Sequence, residues 1–106
     1  MKGKGVVMAH VYTLEGHDHF SKVLEILREE EEVAGVTVVR GIAGFGVSGQ
    51  IHTSSLLNLS LELPLVIEFY DEPKKVAHAI ETLRQRLDLK HIVSWPAKAH
   101  IDSSSA

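Results

Sequence analysis

The sequence predicts an α+β domain of ferredoxin-like type. Its order is βαββαβ, with a four-stranded antiparallel sheet, two helices on one face, and a long loop between strands 2 and 3. Three observations predict it. Two amphipathic helical stripes occur, and each lies between apolar runs rich in β-branched residues, so the chain reads as a duplicated βαβ. Between the two halves sits a glycine-rich segment. The stretch that follows this segment is too short for a crossover helix.

Val6 to Thr13 forms the first strand, with Val7, Ala9 and Val11 alternating against Val6, Met8 and His10. Asp18 is the candidate N-cap of the first helix. Phe20, Val23, Leu24 and Leu27 fall at i, i+3, i+4 and i+7, which is one helical face. The helix runs into Glu29-Glu30-Glu31-Glu32 and stops near Gly35. Val36 to Ile42 reads as the second strand and Leu65 to Tyr70 as the third. Asp71-Glu72-Pro73 opens the second helix, with proline in the first turn, where its missing N–H does no harm. Val76, Ile80, Leu83 and Leu87 supply its apolar stripe. Lys90 to Trp95 is the last strand, ended by Pro96.

The 106 residues suit one domain, residues 1–106, around one core, and an apolar content of 44% excludes wholesale disorder. No apolar run has the length of a membrane span. The basic start Met1-Lys2-Gly3-Lys4-Gly5 leads into an apolar run too short for a signal peptide, so a cytoplasmic location is expected. Cysteine is absent, which excludes a disulfide scaffold and cysteine-based zinc sites. A net charge of −3 supplies no global field for nucleic acid, and the aromatic strand motif of RNA-binding sheets is missing.

The strands do not alternate cleanly. Val6, Val7, Met8, Ala9 and Val11 are apolar on both faces, as are Val36, Val38, Val39 and Ile42, and Leu65, Val66, Ile67, Phe69 and Tyr70. A one-sided sheet normally reads apolar-in and polar-out. Two helices cover one side. Either another subunit covers the other, or His10, Tyr12, Arg40 and Glu68 suffice to wet it. The first reading makes the chain a homo-oligomer. Val38 is taken as an outward position where glutamate should disrupt assembly.

The segment from Arg40 to Thr53 holds Gly41, Gly44, Gly46 and Gly49. Clustered glycines mark backbone that turns sharply, moves or approaches something closely. Gly44-x-Gly46-x-x-Gly49 matches the spacing of the dinucleotide fingerprint but lacks its strand–turn–helix context. Residues Gly44 to about Leu59 are expected to be the least ordered internal segment without ligand. Successive amides in a glycine bend can cradle an anion. A guanidinium at Arg40 adds charge-assisted bonds, Thr53 a hydroxyl, and His52 an imidazole. Arg40, Gly41, Gly44, Gly46, Gly49, His52 and Thr53 are therefore the candidate site for a small anionic molecule, such as a nucleotide. Against this stand a glycine loop without a ligand, a structural role for His52, and a structural ion pair of Arg40 with Glu68.

The run Val36-Thr37-Val38-Val39-Arg40-Gly41-Ile42-Ala43-Gly44-Phe45-Gly46, with Gly49, Ile51-His52-Thr53, Leu59-Ser60 and Leu63-Pro64-Leu65-Val66-Ile67-Glu68, resembles a bacterial and archaeal family. It is domain of unknown function 190, grouped with the PII-like proteins. The likeness is dense from Gly35 to Asp71 and holds in outline over most of the chain. It implies a ferredoxin-like fold, a homotrimer with sheets facing the three-fold axis, and a long loop between strands 2 and 3. In PII-like proteins generally, ligands such as nucleotides sit in clefts between subunits and the loop responds to them.

His17-Asp18-His19 offers imidazole and carboxylate ligands, but adjacent residues do not converge on one metal without a partner from elsewhere. Glu29 to Glu32 reads as a solvated helix end. No serine, histidine and acid arrangement supports nucleophilic catalysis, so an enzyme ranks last. A ligand-sensing or signalling protein ranks first. A metal- or small-molecule-binding trimer without a signalling role ranks second. The protein partner, any cofactor and the ligand's identity are not encoded in recognisable motifs.

Overall fold

The computed structural model describes residues 3–14, 19–44, 52–53, 63–89 and 91–101, with backbone alone for His19, His52 and Thr53. The readings placed on His17, Asp18, Gly46, Gly49 and most of the span to Leu59 fall outside these residues.

The elements run β1 (Lys4–Leu14), α1 (His19–Glu25) continuing as a π turn (Ile26–Glu30), β2 (Gly35–Arg40), β3 (Ala43–Gly44), β4 (His52–Thr53), β5 (Pro64–Asp71), α2 (Pro73–Arg86) and β6 (Ile92–Ala99). The main sheet has the order β2-β5-β1-β6 and every neighbour is antiparallel. This is the four-stranded ferredoxin-like sheet, extended by a separate two-stranded ribbon of β3 and β4.

One face of the sheet carries the core. Ala9 and Val11 of β1, Ile67 and Phe69 of β5, Val23, Ile26 and Leu27 of the first helix, and Val76, Ala79 and Leu83 of α2 form one buried cluster. Val36, Val38, Ile80, Leu87 and Ile92 pack against it, partly buried. The helical stripes thus meet the odd-numbered positions of β1 and β5. In β5 the alternation is regular, with Leu65, Ile67 and Phe69 buried and Val66, Glu68 and Tyr70 half-buried.

Four expectations are corrected. Val38 lies opposite Ile67 and packs on the core side, so the outward residue is Val39. The second strand ends at Arg40, and Ile42 lies in the bend that follows, 80% exposed. The last strand is not ended by Pro96, which pairs opposite Val7 and is followed by Ala97 to Ala99. β6 is an edge strand, where a residue without an N–H can leave the ladder intact. Finally, the acidic run is not merely solvated. Glu31 accepts from His78 Nδ1 at 2.6 Å and from the Thr82 hydroxyl at 3.3 Å, and its side chain is 7% exposed. Glu30 pairs with Arg86, and the Glu32 carbonyl accepts from Lys75 at 3.0 Å. The run fastens the end of the first helix to α2.

That end is built for reversal. Glu31 N–H returns to Ile26 O at 2.9 Å, and Val33 N–H to Leu27 O at 3.1 Å. Between them Glu32 takes φ 50, the left-handed conformation common just past a helix C-terminus. Asp71 then holds the next turn: its carboxylate accepts from Ala34 N–H at 2.9 Å and from Glu72 N–H at 2.7 Å.

Candidate functional site

The candidate site begins where β2 leaves the sheet. Arg40 is the last residue of β2 and pairs opposite Leu65, which places it on the helix-covered side. Glu68 pairs opposite Thr37 instead, and its carboxylate lies 3.0 Å from His10 Nε2. By register Arg40 and Glu68, weighed above as a structural ion pair against ligand binding, fall on opposite sides of the sheet. Arg40 itself is exposed.

Past Arg40 the chain closes on the start of β5. Gly41 N–H donates to Pro64 O at 2.7 Å. A Cβ on Gly41 would come within 2.9 Å of Pro64 Cγ, and one on Gly44 within 3.3 Å. Neither glycine takes the left-handed conformation. Close approach to a proline ring, not a positive φ, thus explains Gly41 and Gly44. Pro64 was not marked as part of the site by sequence reasoning. Its signal is a proline opening a strand just beyond a glycine-rich segment.

β3 and β4 then bring the two halves of the candidate set together. Ala43 pairs with Thr53 and Gly44 with His52. The backbone of His52-Thr53 therefore stands beside Gly44, four residues beyond Arg40. Arg40, Gly41, Gly44 and the backbone of His52 and Thr53 form the ribbon's base against Pro64. The amide of Gly41 is already engaged, so amide donors for an anion must come from farther along. A guanidinium beside such a ribbon suits a phosphate or carboxylate.

A second polar cluster was seen in sequence only as residues that wet the sheet. On the face away from the helices, His10 Nδ1 lies 3.3 Å from the Tyr12 hydroxyl. Trp95 meets the His10 ring edge-on at 4.7 Å, and Tyr12 stacks on His91 at 4.5 Å. Exposed apolar side chains surround it: Tyr12 38%, Val39 50%, Val93 41% and Trp95 38% exposed. Among the described residues no three histidine, aspartate or glutamate side chains converge as metal ligands, and no helix is long and apolar enough to cross a membrane.

The family model for DUF190, described as an uncharacterized ACR, matches residues 7–99. The chain belongs to this family. A UPF0166 protein of Aquifex aeolicus is 33% identical to this DUF190 protein over 72 residues, 68% of each chain. Among solved structures, CPII of Thiomonas intermedia K12 is similar with a TM-score of 0.72 at 15% identity, covering 92% of this chain and 91% of that one. CPII is a nitrogen regulatory PII-like protein, seen there bound to ADP, AMP and bicarbonate. The divalent ion tolerance protein CutA1 of Ehrlichia chaffeensis is similar with a TM-score of 0.64 at 14% identity, covering 94% and 87%. The DUF190 chain thus has the PII-like, ferredoxin-like fold.

Proposed function

We propose that this protein is a ligand sensor of the PII-like type. It binds a small anionic molecule, a nucleotide in the first instance, at the base of the β3–β4 ribbon. It works as a homotrimer, with the ligand in clefts between subunits, and signals occupancy to a protein partner. One observation carries the reading: the cross-strand pairs Ala43–Thr53 and Gly44–His52, which bring the polar His52-Thr53 back beside the glycine segment at the end of β2, where Arg40 stands. Arg40, the amides of the stretch Gly44 to Gly49, and His52-Thr53 are assigned to the anion. The binding of ADP, AMP and bicarbonate by a protein of the same fold supports the ligand class. Assembly is supported by the exposed apolar side chains of the open sheet face. They lie on the side that the helices leave bare, where a soluble monomer rarely shows a large apolar patch.

Titration calorimetry with ADP, AMP, bicarbonate and inorganic phosphate tests the binding. At least one should give saturable heat, and Arg40→Ala should weaken that binding by about 1.5–3 kcal/mol, the scale of a charged hydrogen bond, while the molecular mass of the assembly persists. Silence across the panel, or loss of assembly with affinity intact, overturns the assignment.

A further inference from the structure

β2 and β6 are the edges of the main sheet, and the two halves of β6 differ. Tyr12 N–H donates to His91 O at 3.0 Å, one residue before β6 begins. The register with β1 carries that alternation along the strand. Val93, Trp95 and Ala97 turn their main-chain groups toward β1, while Ile92, Ser94, Pro96 and Lys98 turn theirs outward. Pro96 has no N–H to offer and Lys98 sets a charge on the edge, and both discourage a further strand. Ile92 and Ser94 carry neither guard. Their side chains lie on the helix-covered side, opposite Val11 and Ala9 of the core.

A cleft of about 210 Å³ opens beside this unguarded half, lined by Ile80 and Arg84 of α2 and by Leu89, Ile92 and Ser94. Ile80, Leu89 and Ile92 pack partly buried against the core and give the cleft apolar ground. Arg84 is exposed and, among the described residues, meets no carboxylate. Glu81, one turn back, accepts from Gln85 at 3.2 Å, whereas Arg86 is already paired with Glu30.

We propose that β6 accepts an extended segment of a partner protein along Ile92–Ser94, with an acidic side chain on Arg84 and an aliphatic one, two positions away, in the cleft. A strand added antiparallel, like every pair in this sheet, exchanges main-chain hydrogen bonds with Ile92 and Ser94. Residues directly opposite across such a ladder share a face, so the two side chains opposite Ile92 and Ser94 enter the cleft. Those two stand two apart in the added segment. The cleft meets them with one unneutralised guanidinium, which suits a carboxylate, and with aliphatic surface. A small free anion would use the guanidinium and leave the main-chain edge and the apolar ground unmatched. This partner is the one that the signalling reading above requires, and its role rests on that reading; docking itself needs no ligand.

Fluorescence anisotropy of the full chain with a labelled peptide centred on Val-Thr-Glu-Thr-Val is the test. Binding should saturate and weaken with salt. Replacing the glutamate of the peptide by lysine should lower the affinity at least about tenfold, the scale of a lost charged hydrogen bond. Arg84→Glu should reverse that preference, which general stickiness cannot do. Ser94→Pro removes an outward N–H in the manner of Pro96 and should abolish binding, with the sheet intact by circular dichroism. No saturable binding, or a wild-type preference kept in Arg84→Glu, overturns the proposal. A smaller molecular mass for Ser94→Pro, with no peptide bound by wild type, gives this edge to a second copy of the chain and overturns it as well. Saturable heat from the anion panel without peptide binding removes this docking site alone. Peptide binding beside a silent panel removes the sensing reading alone.

Discussion

Gly41 and Gly44 look alike in sequence but are required to different degrees. At Gly41 a Cβ would sit 2.9 Å from Pro64 Cγ and 3.4 Å from the Pro64 carbonyl oxygen. Neither a ring atom nor a strand backbone can swing aside. The Gly41–Pro64 hydrogen bond would have to lengthen instead. At Gly44 the nearest approach is 3.3 Å, which a few tenths of an ångström relieve. Gly41→Ala should therefore destabilise the fold by about 1–3 kcal/mol, the usual range for overpacking, and Gly44→Ala by clearly less. Thermal melts of the two variants decide it; equal effects would mean that the ribbon's base is not seated on Pro64. In sequence both residues suggested turns or an anion nest, since a proline some twenty positions away cannot be seen as a neighbour until β2 and β5 are paired.

At the scale of elements, strand and helix order was legible because two periodicities alternate along the chain. The fastening between helices was not. Glu30 and Glu31 sit in a run of four like residues, and nothing in the run says which members turn inward. The π turn at Ile26–Glu30, which has no composition signature, helps to set that direction. Its result is a pH-sensitive contact. The hydrogen bond to Glu31, and then the charge of Glu31, raise the His78 pKa above its ordinary 6.5. A group whose folded pKa is raised stabilises fully below its unfolded value and loses that contribution as the pH rises through the folded one. The stability difference between wild type and His78→Gln should thus be largest below about pH 6.5 and shrink as the solution is made alkaline. High salt should reduce it, since His78 is well exposed. Melting curves across pH check this, and a difference that stayed flat with pH would show that Glu31 is held by Thr82 alone.

For the whole molecule, the sequence told that both sheet faces are apolar but could not tell which valine of β2 belongs to which face. Val36, Val38 and Val39 break the period of two, and a one-residue slip exchanges the faces. The register with β5 settles it: Val38 lies opposite Ile67 on the core side, and Val39 opposite Val66 on the open side, half exposed. The two positions therefore separate folding from assembly. Val38→Glu buries a charge beside Ile67, without a partner, and should lower the melting temperature of the subunit itself. Val39→Glu leaves the isolated subunit nearly unchanged, because its charge stays in water. Covered by further copies, the same carboxylate loses that water, at a cost of several kcal/mol per buried unpaired ion. Light scattering at micromolar concentration should then give a folded protein of smaller mass for Val39→Glu than for wild type. Wild-type mass in Val39→Glu, with its melting curve unaltered, would place the assembly contact on another surface and leave the open sheet face to water.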